Sequence, residues 1–270
     1  LPYTDCSPGF GSVAKYVATS TLEAGLDVKS MAETSTKVFI LEVMGRHAGW
    51  IAAASCLAAS NQGDPPHIIL LPEIPFEKNK FIARVKETVK KYGYCVIVAS
   101  EGTKTKTGKF LADSGLTDAF GHKQLGGVAP VMSSMISKIG LKNHWAVADY
   151  LQRSARHIAS KTDLDQAYAV GEHAVKLAVA GKTAVMPVIK RLSDTPYKWQ
   201  IGTAPLKNIA NIEKSVPRKF ISKDGFAVTS AGRRYLNPLI QGEAPTSFKH
   251  GMPEVALLKK SFVKKKLKKF

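Results

Sequence analysis

Residues 37–54, KVFILEVMGRHAGWIAAA, constrain this chain more than any other stretch. Residues 38–43 form an apolar, β-branched run interrupted only by Glu42. A run of this kind, closed by Gly45, is the pattern of a strand buried on both faces of a parallel sheet. From His47 onward Trp50, Ala53, Ala54 and Leu57 fall at helical spacing, so strand, tight turn and helix follow with almost no linker. In open α/β sheets ligands gather beyond the carboxyl ends of strands, and helix N-termini there favour anions. Gly45 lets the backbone come close, and Arg46 is placed to hold a phosphate or carboxylate. A plain turn carrying a solvated arginine satisfies the same spacing.

The rhythm continues on both sides. A helix is expected over 12–28 with Ser12 as its N-cap, then strands over 67–72 and 94–99 separated by a basic amphipathic helix over 76–92. Alternating strand and helix of this kind gives a parallel sheet with right-handed crossovers. Further on come an apolar helix around 131–139 and a short strand at 145–148. A helix over 162–180 follows, capped by Thr162, stopped by Gly181, and burying Ala167, Val170, Ala174, Leu177 and Ala178. A strand over 183–189 is next, and from Tyr197 the pattern loosens. The expected division is a sugar-phosphate-binding α/β domain over 1–160, a returning helix and strand over 161–195, and a C-terminal extension over 196–270.

Composition narrows the class. At 270 residues and 44% hydrophobic the chain can bury a sizeable core, and no apolar run reaches the length of a membrane span. Three scattered cysteines, Cys6, Cys56 and Cys95, without zinc-like spacing fit a reducing cytosol. The formal charge is +18, of which seven lysines lie in 259–270, so the remainder is still basic at about +11. A basic body suits a phosphorylated ligand. The tail, KKSFVKKKLKKF, reads as a solvated terminus rather than a nucleic-acid or membrane arm, because no recognised nucleic-acid module accompanies it.

Three strand ends converge on one candidate site: Arg46 after the first strand, Glu73 after the second, Arg153 after the short strand at 145–148. Guanidinium forks grip phosphate oxygens and a carboxylate accepts from hydroxyls, the equipment for a sugar phosphate. Each position has a plainer reading too. Glu73 precedes a helix whose dipole favours an acid, and Arg153 sits in a basic turn with Arg156, His157 and Lys161. Gly181-Lys182-Thr183 imitates a phosphate loop but lacks the upstream glycine and lies between helix and strand. The histidines have no metal-ligand spacing, and Met132 and Met135 read as core. From the residues alone this is a phosphate-handling α/β protein.

LEVMGRHAGWIAAA, LLPEIPF, VASEG and ADYLQRSARHIASKTD, in this order and spacing, resemble the 6-phosphofructokinase family. The HAGW and YLQR forms are most similar to its pyrophosphate-dependent branch. The resemblance implies the phosphofructokinase-type three-layer parallel sheet, with fructose 6-phosphate and pyrophosphate as substrates and fructose 1,6-bisphosphate as product. By resemblance Met44, Gly45 and Arg46 bind the sugar phosphate, and Arg46 also stabilises the transferring phosphoryl group. Glu73 bonds sugar hydroxyls, Tyr150, Leu151, Gln152 and Arg153 form the block that takes the 6-phosphate, and Lys37 reaches a neighbouring subunit's substrate. A cytoplasmic homodimer or homotetramer in glycolysis is implied.

Two family motifs are missing from the sequence: the GGD-type donor turn and the T-[IV]-D-N-D motif that carries the general base. Residues 1–5, LPYTD, resemble what directly follows that motif, so Asp5 is read as lying after the base rather than being it. The implied Mg²⁺ ligands and the base are expected outside these 270 residues, and the 270-residue piece is expected to bind sugar phosphate without turning it over. Two alternatives stay open: a non-catalytic sugar-phosphate-binding subunit, and an ATP-dependent enzyme.

Overall fold

Strand β1, Val38–Val43, is the axis of the molecule. A computed structural model of the protein describes residues 1–117, 123–125, 127–262 and 264–266. In chain order it contains α1 (Phe10–Met31), β1, α2 (Trp50–Ala54), β2 (Ile68–Leu70), α3 (Lys78–Tyr92) and β3 (Cys95–Ser100). These are followed by β4 (Asp113–Thr117), β5 (Lys123–Leu125), α4 (Val128–Ser137), β6 (Asn143–Val147) and α5 (Leu151–Ser154). Then come α6 (Lys161–Val179), β7 (Val185–Asp194), β8 (Tyr197–Pro205) and α7 (Ser230–Leu236).

Four strands make one parallel sheet in the order β2-β3-β1-β6. Side chains alternate along β1, so Leu41 and Val43 join the cluster under α1 and α2 while Val38 and Ile40 join the one under α3 and α4. The sheet therefore separates two cores, and the architecture is a three-layer α/β sandwich. Ile40, Ile97, Phe81 and Met132 are fully buried, and each such side chain contributes about 1.5–3 kcal/mol relative to exposure. β6 is the contrast: as the edge strand, it leaves Trp145 45% exposed.

Several expected boundaries move, each for a local reason. Ser12 lies inside α1, whose N-cap is Gly9, because the buried carboxylate of Asp163 supplies the cap from a distance. That carboxylate accepts from the amides of Gly9 (2.8 Å) and Ser12 (3.0 Å) and from the Ser12 hydroxyl. α6 begins one residue earlier than expected, with Ser160 as the N-cap whose hydroxyl accepts from Asp163. Its buried positions are Asp163 and Gln166, whereas Ala174 and Ala178, expected inside, are exposed.

β7 and β8 pair antiparallel along their length around a turn at Thr195-Pro196. The expected division at 195/196 falls in the turn of this hairpin, so its two strands are one unit. Its alternating Tyr197, Trp199 and Ile201 pack with Cys6, Ile189 and Leu239. Beyond it the chain runs through short turns and α7, and 254–262 and 264–266 lie exposed outside any helix or strand. Among the described residues no helix is long and apolar enough to cross a membrane. The cysteines are free and buried.

Candidate active site

At the carboxyl end of β1 the chain turns sharply through Met44, Gly45 and Arg46. Gly45 has φ 142°, and a Cβ there would lie 2.8 Å from both the Ala48 carbonyl and the Ser100 hydroxyl, so the turn requires glycine. Neighbouring strands fix it from both sides. From β3, the Ser100 hydroxyl donates to the Gly45 carbonyl (2.5 Å), and the Glu101 carboxylate accepts from the Gly45 amide (3.2 Å). From beyond β6, Gln152 Oε1 accepts from the Met44 amide (3.3 Å). Register places β1 beside β6 through Glu42↔Val147, so the Met44 turn and the Asp149 turn emerge side by side.

Arg46 lines a cleft of about 360 Å³ with His47, Trp50, Glu213 and Lys214. Its Nε is buried and has no hydrogen-bond partner among the described residues. A buried orphan donor costs about 1–3 kcal/mol, which marks this side chain as shaped for something the protein itself does not supply. The wall opposite Arg46 is the segment 212–216. Its Lys214 carbonyl accepts from the Trp50 indole (2.6 Å), and its Val216 amide donates to Glu73 (2.8 Å). The Lys214 ammonium donates to the Thr4 and Asp5 carbonyls at 3.0 and 3.1 Å, and burial lowers its pKa.

Arg153 lines a second cleft, of about 430 Å³, with Met44, Gln152, Arg156 and Asp163. Met44 thus faces one cleft and Arg46 the other, on either side of the same turn. The Arg153 guanidinium carbon lies 5.3 Å from the centroid of the exposed Tyr150 ring, and Leu151 is exposed beside it. Gln152 is 2% exposed, and its amide is engaged by the backbone, accepting from Met44 and donating to the Asp149 carbonyl (2.9 Å). It joins the two turns rather than reaching outward.

Of the three residues expected around one sugar phosphate, Arg46 and Arg153 line adjacent clefts on either side of the Met44-Gly45-Arg46 turn, and Glu73 lines neither. The Glu73 carboxylate accepts from the Gly49 amide through both oxygens (3.0 and 3.2 Å) and from the Val216 amide. Its acceptors face the N-terminus of α2 and the 212–216 wall, not the following helix α3 whose dipole the sequence suggested for it. Glu101 also lines neither cleft, and its carboxylate accepts from the Gly45 amide of the Arg46 turn. The rule that selected Arg46 would also have found Glu101, because it too follows the carboxyl end of a buried strand.

Lys37 lies at the amino end of β1. Its ammonium donates to the Ala32 and Glu33 carbonyls that close α1, where a cation complements the helix dipole, and within this chain it does not join the Arg46 rim.

Asp5, the decoy base, is an architectural acid. Its side chain is 5% exposed and accepts from Arg191 Nε through both oxygens (2.9 and 3.0 Å) and from the Tyr197 hydroxyl (2.9 Å). Its carbonyl accepts from the Tyr235 hydroxyl (2.6 Å) as well as from Lys214. Among the described residues no group of three or more His, Cys, Asp or Glu side chains is arranged to hold a metal ion.

The molecule is a three-layer α/β protein with arginine-lined clefts at the carboxyl rim of its parallel sheet. Residues 1–178 match the phosphofructokinase family, to which the chain belongs. It is 64% identical over its whole length to the pyrophosphate–fructose 6-phosphate 1-phosphotransferase of Halomonas elongata, and 55% identical to the one of Methylococcus capsulatus. The crystal structure of a pyrophosphate-dependent phosphofructokinase from Marinobacter aquaeolei superposes with a TM-score of 0.89 at 57% identity. That comparison covers 99% of this chain. A phosphofructokinase from Saccharomyces cerevisiae, at 21% identity and a TM-score of 0.56, shares the fold. The chain spans 64–65% of the length of the curated relatives named above, and 64% of the Marinobacter chain.

Proposed function

We propose that this chain carries the fructose 6-phosphate half of a pyrophosphate-dependent 6-phosphofructokinase, which moves a phosphoryl group from pyrophosphate to the sugar's 1-hydroxyl. The relatives named for that reaction, and matching the chain end to end, support the choice of donor. The observation that carries the reading is the buried, partnerless Nε of Arg46 in a cleft one turn away from Arg153. In this reading Arg153, steadied by Tyr150, takes the 6-phosphate in the larger cleft. The Met44-Gly45-Arg46 turn contacts the sugar phosphate, Arg46 also faces the transferring phosphoryl group from the smaller cleft, and an acid beside the turn, Glu73 by resemblance or Glu101 next to the Gly45 amide, accepts from the sugar hydroxyls. Phosphoryl transfer is mostly positioning and charge neutralisation, and two clefts flanking one rigid turn separate the sugar's anion from the donor's.

Mg²⁺ is proposed to arrive with pyrophosphate, held by residues outside this chain. The α6 and β7 region is proposed to return toward a donor-binding domain, supported by exposed Leu164, Tyr168, Val175 and Val179 along α6. A homodimer or homotetramer acting in cytosolic glycolysis, without membrane or nucleic-acid partners, completes the proposal. Calorimetric titration of the 270-residue chain with fructose 6-phosphate tests the core of it. Saturable binding is expected, weakened roughly tenfold or more in both Arg46→Gln and Arg153→Gln. Wild-type affinity in both variants would sink the reading.

A further inference from the structure

The Arg46 cleft holds a residue that neither the resemblance nor the reading above assigns. His47 directly follows Arg46 and lines the same cleft, and its Nδ1 lies 2.5 Å from Glu213 Oε1. The ring is further fixed by stacking on Phe110, with centroids 6.4 Å apart and planes at 18°. A carboxylate on one ring nitrogen sets the orientation of an imidazole and favours its charged form, leaving the other nitrogen for a ligand. Glu213 is itself held in place, because the next residue accepts from the Trp50 indole and Val216 is tied to Glu73. The wall of the cleft therefore delivers Glu213 to His47. The other charges facing this ring are Arg46 and Lys214 in the cleft, with Lys104 across the Phe110 ring.

We infer that His47, oriented by Glu213, is a second anion-binding side chain of the Arg46 cleft, donating from Nε2 to an oxygen of the pyrophosphate donor. This rests on the reading of Arg46 as the residue facing the transferring phosphoryl group. Protonated on both nitrogens, the ring bridges Glu213 and the anion and adds a directed donor next to the guanidinium. Glu213 offsets one of the positive charges of the cleft.

The test is NMR of the 270-residue chain, following the His47 ring nitrogens and the Arg46 Nε–H during titration with inorganic pyrophosphate between pH 5.5 and 8.5. Pyrophosphate is expected to shift both signals. His47→Gln should weaken pyrophosphate binding roughly tenfold. Glu213→Gln, which keeps His47 but removes the carboxylate that orients its ring, should weaken binding by a smaller factor. If pyrophosphate shifts Arg46 alone and His47→Gln binds like wild type, the inference falls while the reading of Arg46 stands. If pyrophosphate shifts neither side chain, both fall.

Discussion

Two arginines of this protein illustrate opposite uses of the same side chain. Arg191 is surrounded by answers: both oxygens of Asp5, the Asp194 carboxylate at 2.7 Å, the Tyr235 carbonyl at 2.9 Å, and the rings of Tyr197 and Tyr235. Arg46 sits in a cleft with a buried Nε that none of the described residues answers. The first arrangement fastens residues 4–6 to the β7–β8 hairpin and to the end of α7. The second leaves a cation pre-positioned at a strand end. A guanidinium whose valences are filled by the protein is architecture, whereas one left short is an invitation to a ligand. Charge alone does not separate the two, and neither does position in the sequence.

The comparison breaks most visibly at Arg191. Replacing it with Leu leaves Asp5 as an uncompensated buried charge, a change that costs about 3–5 kcal/mol. Urea unfolding should show a correspondingly lower midpoint, with any loss of sugar-phosphate binding tracking the unfolded fraction. Arg46→Gln should do the reverse, leaving the midpoint close to wild type while fructose 6-phosphate affinity falls roughly tenfold to a hundredfold, the weight of one charged hydrogen bond. If Arg46→Gln unfolds the protein as readily as Arg191→Leu, the distinction between the two arginines is lost.

The acids sharpen the same contrast on a smaller scale. Glu73→Gln removes a carboxylate that accepts from the Gly49 and Val216 amides, and should lower stability by about 1–2 kcal/mol with a modest secondary effect on binding. Glu101→Gln keeps an acceptor for the Gly45 amide, so its midpoint should hold while fructose 6-phosphate affinity drops several-fold. Measuring both variants by denaturation and by calorimetry assigns the sugar-binding acid. A binding loss confined to Glu73→Gln would restore the reading that the sequence first suggested.

The fold was legible because its centre is repetitive. β1 and β3 are unbroken apolar runs, and a strand buried on both faces needs nothing else to be recognised. Arg46 was legible for the same reason, since a glycine turn ending such a strand has few possible locations. The side chains that depend on distant partners were not legible. The backbone partners of Glu73 were hidden, because nothing in LLPEIPF reveals that Val216 will donate to it from 143 positions away. Ser12 looked like a cap because the acid that caps α1, Asp163, lies 151 residues on. The β7–β8 hairpin is a different miss. Tyr197, Trp199 and Ile201 alternate with polar residues in plain view, a period-two signal overlooked in a region rich in turns.

Glu42 stands between the two classes and gives the smallest predicted effect. It is buried in β1, and its carboxylate accepts from the Ala129 amide (2.8 Å) at the N-terminus of α4. Burial is the largest influence on it and raises its pKa, partly offset by those amides, with Glu101 and Asp149 pushing the same way as burial. The folded state therefore holds the proton longer than the unfolded chain does. As pH rises past the ordinary glutamate range, the unfolded chain ionises first, and stability falls until the folded carboxyl has also titrated. Glu42→Gln keeps an acceptor for Ala129 and has no proton to lose. Its stability relative to wild type should rise between pH 4 and 8, as read from paired urea midpoints. A difference that shrinks over that range would mean the α4 amides hold the charged form more strongly than burial opposes it, placing Glu42 with Asp5 among the answered charges.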